Sequence, residues 1–144
     1  MQSAHITDVI GRKFLAPNMQ LFRFESLKPI QIWLLYFSAS WCRPCQKFTP
    51  MLHSFYQSTE RYSLEVVFVS RDHNEAAFRE YFSTMPWLAI PFESKEREEL
   101  ITTFEVDGVP RVVILNNKGE VLNDNAVPMI KAQLPGFPWP NPQT

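Results

Sequence analysis

Two stretches of the chain are apolar at nearly every position: Ile30-Gln-Ile-Trp-Leu-Leu-Tyr-Phe-Ser38 and Leu64-Glu-Val-Val-Phe-Val-Ser70. A strand with one solvated face alternates apolar and polar residues, so runs this dense in β-branched and aromatic side chains need cover on both faces. They predict an α/β fold with a central mixed β-sheet flanked by helices on both faces. Between the two runs the period changes. Phe48, Met51, Leu52, Phe55 and Tyr56 recur at intervals of three and four, which marks an amphipathic helix from Pro44 through Arg61. Pro50 lies inside it and is expected to kink it, having no amide proton to donate.

The rest of the chain punctuates more often. Gly11 to Phe24 reads as an extended hairpin turning near Pro17-Asn18, and Ser26 as the cap of a short turn through Leu27 and Lys28. Asp72 or Asn74 caps a helix that turns Ala77, Phe78, Tyr81 and Phe82 inward and ends before Pro86. Trp87 to Ile90 is a short strand or an irregular apolar segment. Ser94 caps a third helix, carrying Leu100, Ile101 and Phe104, whose acidic first turn suits the positive helix end and which Gly108 breaks. Arg111 to Leu115 and Glu120 to Leu122 form a hairpin in which Gly119 supplies the positive φ. Met129 to Leu134 forms a last short helix, and a proline-rich tail with Pro138, Pro140 and Pro142 follows from about residue 135.

A chain of 144 residues, 45% hydrophobic and 20% charged, is expected to fold as one domain over residues 1–144. Its 14 Lys and Arg against 15 Asp and Glu are dispersed, so neither nucleic acid nor an anionic membrane is expected as partner. The longest apolar run is too short to span a bilayer as a helix, and no basic segment leads into an apolar one at the amino terminus. A soluble monomer in the cytoplasm is expected, with the nucleus also open.

The chemistry concentrates in Trp41-Cys42-Arg43-Pro44-Cys45. A buried strand ends at Phe37, three small residues make the turn, and Cys42 arrives at a helix amino terminus. Unpaired amide protons and the helix dipole favour a thiolate there, and Arg43 adds positive charge beside it. Cys42 is thus expected to be the nucleophile with the lower pKa. Cys45, almost one turn further on, faces the same side and can close a disulfide, and Pro44 suits the first helical turn. The other reading of the pair is half a zinc site. It lacks a second pair, and His5, His53 and His73 are scattered, so no metal is expected. Val109-Pro110, between Gly108 and a strand, is a place where a cis peptide would set a backbone edge beside the cysteines. Arg111 is either a strand-edge residue or a contact for an acidic group on a partner. Trp87 and Trp139 are either core and tail-docking aromatics or groove-lining ones.

The segments Tyr36-Phe-Ser-Ala-Ser-Trp-Cys-Arg-Pro-Cys-Gln-Lys-Phe-Thr-Pro50, Glu65-Val-Val-Phe-Val-Ser70, Met85-Pro-Trp-Leu-Ala-Ile-Pro-Phe92, Val109-Pro110 and Phe137-Pro-Trp-Pro140 together resemble the thioredoxin superfamily, and within it the tryparedoxin and nucleoredoxin branch. The resemblance implies a thioredoxin-like fold and disulfide reduction, with Cys42 attacking, Cys45 resolving, Trp41 shielding the active loop and Pro110 as the cis-proline. The chain departs from the pattern at Tyr36, where thioredoxins carry a buried aspartate, which leaves the proton acceptor for Cys45 unidentified. It departs again at Arg43 and Arg71, where the branch has proline and tryptophan. From Gly119 to the end only Lys131 is basic, whereas tryparedoxins carry several cations there for their trypanothione donor.

The expected activity is thiol–disulfide oxidoreduction on oxidised protein substrates through a Cys42–Cys45 cycle, with a peroxidase as one acceptor. No cofactor is bound; an external thiol, dithiol or reductase supplies electrons. Arg71, Trp87, Val109 and Arg111 are candidate substrate contacts. The alternatives are a trypanothione-dependent tryparedoxin and a redox-sensing binding module without turnover.

Overall fold

Why the two long apolar runs carry no polar alternation is visible in how their side chains divide. The computed structural model describes residues 4–59 and 62–141. Within it the runs become β3 (Ile32–Ser38) and β4 (Leu64–Ser70), parallel neighbours at the centre of a seven-stranded mixed sheet. Leu34 and Tyr36 of β3 and Val66 and Phe68 of β4 point to one face; Trp33, Leu35, Phe37, Val67 and Val69 point to the other. Each face is a hydrophobic core of its own, as a strand with period-two side chains demands.

The first face is covered by α2 (Arg43–Ser58), α3 (Glu75–Phe82) and α5 (Val127–Ala132). Phe68 is its centre, stacked on Phe78 at 5.8 Å and Phe82 at 6.1 Å and meeting Tyr81 edge-on at 5.5 Å. Emptying a core position of that size costs about 3–5 kcal/mol. The second face is covered by α1 (Thr7–Ile10), whose cap residue Ile6 and last residue Ile10 turn inward, and α4 (Lys95–Thr103), which sends Leu100 inward. α1 went unread in the sequence, a single turn marked only by the i, i+4 spacing of those two isoleucines.

Around the central pair the strand order is β2-β1-β5-β4-β3-β6-β7, with β1 (Lys13–Leu15), β2 (Leu21–Arg23), β5 (Leu88–Ala89), β6 (Arg111–Asn116) and β7 (Val121–Asn123). β5 is parallel to β4, while β6 is antiparallel to β3 and β7 to β6. The β6–β7 turn needs Gly119 twice over. Its φ is +83°, and a Cβ there would come within 2.8 Å of the Val9 side chain.

Several boundaries moved for local reasons. α2 runs on through Pro50; its last predicted residue, Arg61, lies outside the described residues, as does Pro142 of the tail. Asn74, not Asp72, caps α3, its side chain accepting from the Ala77 amide at 2.9 Å. Ser94 has the extended backbone of a cap residue, but its hydroxyl makes no cap bond. α4 is held instead by Arg97, which lies over the Phe92 ring at 4.1 Å and donates to the carbonyls of Phe92 and Ser70. The short turn expected after Ser26 sits before it, a 3-10 turn at Phe24–Ser26 that stacks Phe24 on Trp33 at 6.0 Å. α5 begins at Val127 rather than Met129 because Pro128 fits its first turn.

Candidate active site

Strand β3 ends at Ser38, and four residues later Cys42 caps α2. The sulfur of Cys42 accepts the Cys45 amide at 3.2 Å, so the helix delivers one of its unpaired amide protons straight to the sulfur. Cys42 and Cys45 are joined in a disulfide with Cα atoms 5.2 Å apart. Cys45 is wholly buried and Cys42 retains 5% exposure. The asymmetry follows from the helix: position N3 points into the core, whereas the cap stands at its rim. On reduction, the group that keeps both the amide proton and the access is Cys42, the arrangement that favours its thiolate.

The loop carrying the cap is tied down on every side. Asp72, buried at the end of β4, accepts from the Ser40 amide at 2.8 Å and the Ser40 hydroxyl at 2.5 Å, and its other oxygen accepts from Ser70 at 2.7 Å. Gln46 donates to the Ser40 carbonyl at 2.6 Å. Trp41 donates its indole N–H to the Arg71 carbonyl at 3.1 Å and stacks on His73 at 5.7 Å, leaving 54% of its surface open next to the cysteines.

Beneath Cys45 lies a cluster of four buried hydroxyls. Thr49 is within 2.7 Å of Tyr36, 2.9 Å of Tyr81 and 2.9 Å of the Cys45 carbonyl, and Tyr81 is 2.8 Å from Ser38. One proton assignment uses all four: Ser38 donates to Tyr81, both tyrosines donate to Thr49, and Thr49 donates to the Cys45 carbonyl. Burial, with Tyr81 close by, raises the Tyr36 phenol well above its ordinary value, so Tyr36 stays protonated and serves as a donor. The proton acceptor for Cys45 is therefore not the side chain that replaces the aspartate.

The other residues singled out in the sequence fall in three places. Val109 packs on the cysteines with its carbonyl 3.6 Å from the Cys42 sulfur, and the Val109–Pro110 peptide is cis. Arg43 and Pro44 border a groove that reaches Pro110. Arg71 and Arg111 spend donors on the backbone: Arg71 on Val106 at 2.6 Å, Arg111 on Phe104 at 2.7 Å and Asp124 at 2.9 Å. Trp87 is the core aromatic of its two readings, buried with Tyr36 and Tyr56 edge-on at 6.1 and 5.6 Å. Trp139 docks the tail, packed on Phe55 and Phe137.

Sequence reasoning passed over Asp72, Ser40, Gln46, Thr49 and Tyr81 as parts of the site. Asp72 stood out only as a helix cap, and Tyr81 only as an inward-facing core residue. No spacing signal links residues that meet across three elements. Among the described residues no group of three or more His, Cys, Asp or Glu is placed to hold a metal, and no helix is long and apolar enough to cross a membrane.

A family model described as thioredoxin-like matches residues 31–121. A tryparedoxin from Trypanosoma brucei brucei is 42% identical over 112 residues, 74% of this chain and 78% of that protein. Probable nucleoredoxin 1 from Arabidopsis thaliana is 45% identical over 100 residues, which is 68% of this chain, and the chain spans only 17% of that protein's length. The solved structure of tryparedoxin II from Crithidia fasciculata superposes with a TM-score of 0.86 at 34% identity, covering 94% of this chain and 93% of that one. With the cysteine pair capping the helix after the central strand of a mixed seven-stranded sheet, the chain belongs to the thioredoxin-like family and has tryparedoxins and nucleoredoxins among its relatives.

Proposed function

We propose that this chain is a thiol–disulfide oxidoreductase that reduces disulfides in proteins. The Cys42 thiolate attacks one sulfur of the substrate disulfide, forming a mixed disulfide and releasing the other substrate sulfur as a thiolate that takes up a proton. Cys45 then loses its proton and attacks the Cys42 sulfur, releasing the second substrate thiol and leaving the Cys42–Cys45 disulfide. Two electrons pass to the substrate in each round, and an external thiol, dithiol or reductase returns them. Oxidised proteins, peroxidases among them, are the partners of this cycle. Trp41, Val109 and Pro110 frame the sulfur that the substrate must reach.

The observation that supports this reading is the difference between the two sulfurs: one is a helix cap with residual exposure, the other a closed interior position within bonding reach. A pair of structural or inert cysteines has no need of that difference. A model protein disulfide supplied with a panel of donors (glutathione, a small dithiol, a thioredoxin reductase with NADPH) tests it. Catalytic turnover with at least one donor is expected. Binding of the oxidised protein without turnover under every donor would instead make the chain a redox-sensing module.

A further inference from the structure

A groove between α2 and α5 opens beside the cysteine loop. Its volume is about 450 Å³; Phe48, Met51 and Val127 form its floor together with Pro44 and Pro110, and Arg43, Lys47 and Lys131 stand on its rim. Among the described residues no carboxylate lines it, although the chain as a whole carries a net charge of -1. The three cations are exposed, and none of them joins an ion pair among the described residues. Past Met51 and Lys131 the groove continues into a second depression of about 690 Å³ that reaches Leu134 and Trp139. Met51 and Leu134 are 43% and 48% exposed, large apolar side chains left open on this one path. On the far side of Pro110 the sign reverses. Asp107 and Asp124 line that depression, and the arginine among them, Arg111, is engaged by backbone carbonyls.

We propose that this groove is the specificity site for the protein substrate, and that it takes an acidic segment with apolar neighbours lying next to the disulfide to be reduced. The proposal rests on the disulfide-reductase reading and adds the chemistry of the substrate to it. Carboxylates close to the substrate sulfur meet three cations over an apolar floor that reduces solvent screening, and the planar Arg43 head can take a carboxylate with two parallel hydrogen bonds. The apolar neighbours of those carboxylates cover Met51 and Leu134. A free phosphate or a nucleic acid backbone would leave that floor uncovered. A basic segment is repelled on this side and attracted to Asp107 and Asp124 on the other, so the charge pattern also sets which way the substrate chain crosses Pro110.

Three disulfide peptides that differ only in their flanks, Glu with Leu, Gln with Leu, and Lys with Leu, test the proposal. The Glu peptide is expected to be reduced with kcat/KM about tenfold above the Lys peptide at low ionic strength, a difference that shrinks to about twofold in 0.5 M salt. The double variant Lys47→Glu, Lys131→Glu is expected to invert the preference while the Gln peptide changes by no more than about twofold. Equal rates for the three peptides, or a preference that the double variant leaves in place, would overturn the groove. Reduction of none of them by the folded protein would instead sink the reductase reading. The groove is then judged by fluorescence anisotropy with a cysteine-free Glu and Leu peptide on the oxidised protein, where salt-sensitive binding lost in the double variant supports it and absence of binding rejects it.

Discussion

Replacing Thr49 by valine deletes one hydroxyl at constant shape, yet the geometry predicts a loss well above that of an average hydrogen bond. The Thr49 oxygen has three partners, at 2.7, 2.9 and 2.9 Å. Without it Tyr81 keeps Ser38 at 2.8 Å, but among the described residues Tyr36 is left with only the Cys45 carbonyl at 3.4 Å, a poor bond for a buried phenol. An exchanged buried hydrogen bond is worth about 1 kcal/mol, and a buried group left without a good partner costs about 1–3 kcal/mol. T49V is therefore expected to destabilise the oxidised protein by about 2–3 kcal/mol, against about 1 kcal/mol for Y36F, which removes a donor but leaves Thr49 bonded to Tyr81 and Cys45. At this chain length the T49V loss corresponds to a Tm lowered by about 8 °C. Urea unfolding followed by tryptophan fluorescence measures both variants, and an unchanged slope shows that the effect is one of stability rather than of the unfolded state. The double variant should fall short of the sum by about 1 kcal/mol, because the two hydroxyls share one bond. A T49V loss equal to or below that of Y36F would refute the assignment of Thr49 as the centre of the cluster.

The cysteines should separate in a trapping experiment: Cys42→Ser abolishes both turnover and capture of an oxidised protein, whereas Cys45→Ser captures it as a mixed disulfide visible by intact mass. Equal trapping by both variants would reject the division of roles. Arg43→Glu replaces a cation beside the helix cap with an anion and should raise the Cys42 thiol pKa, shifting its alkylation profile to higher pH; an unchanged profile means the side chain does not act on the sulfur. Glu65 is held above its ordinary value of 4.5 by burial, which outweighs the bonds from Tyr56 and the Val66 amide. Its protonated form is the one that suits the fold, so its contribution is fully present below the unfolded pKa and is lost as pH rises through the folded one. Glu65→Gln should therefore stabilise the protein at neutral pH, with a gain that fades as pH falls through that window, and a gain independent of pH would contradict it.

The parts of the fold that were legible in the sequence are those where one physical demand acts on consecutive residues. Leu64 to Ser70 had to be a doubly covered strand because every position but Glu65 is apolar or small, and β4 occupies those seven residues. Cys42, Pro44 and the stripe from Phe48 located the start of α2 to within one residue. Legibility failed where partners are distant in the chain. Asp72 and Asn74 are both good caps by type, and the choice between them was made by Ser40, some thirty residues earlier, whose amide and hydroxyl claim Asp72. Tyr36 was noticed for what it replaces, but its function as a donor depends on Thr49 and Tyr81, which lie on two helices, and no local pattern brings them to mind. Arg71 and Arg111 read as free charges because nothing in a sequence announces that a carbonyl of a remote loop will take the guanidinium.

The same distinction divides the work of the site. The groups that set the reactivity of Cys42 are short and fixed: an amide at 3.2 Å, a loop pinned by Asp72 and Gln46, and a hydroxyl cluster locked under Cys45. Those that face an incoming substrate along the groove are long and exposed, Arg43, Lys47 and Lys131. A fixed shell cannot change its substrate without disturbing the sulfur, whereas Lys47 and Lys131 can be altered with the helix cap intact, since neither takes part in it. Arg43 alone belongs to both sets, being next to the cap in the chain and on the rim of the groove. A charge change there should move the rate with every substrate through the thiolate and, in addition, the preference among substrates through the groove. Comparing Arg43→Glu with Lys47→Glu on the acidic and neutral peptides separates the two effects: the neutral peptide should slow only in the first variant, and the acidic one in both.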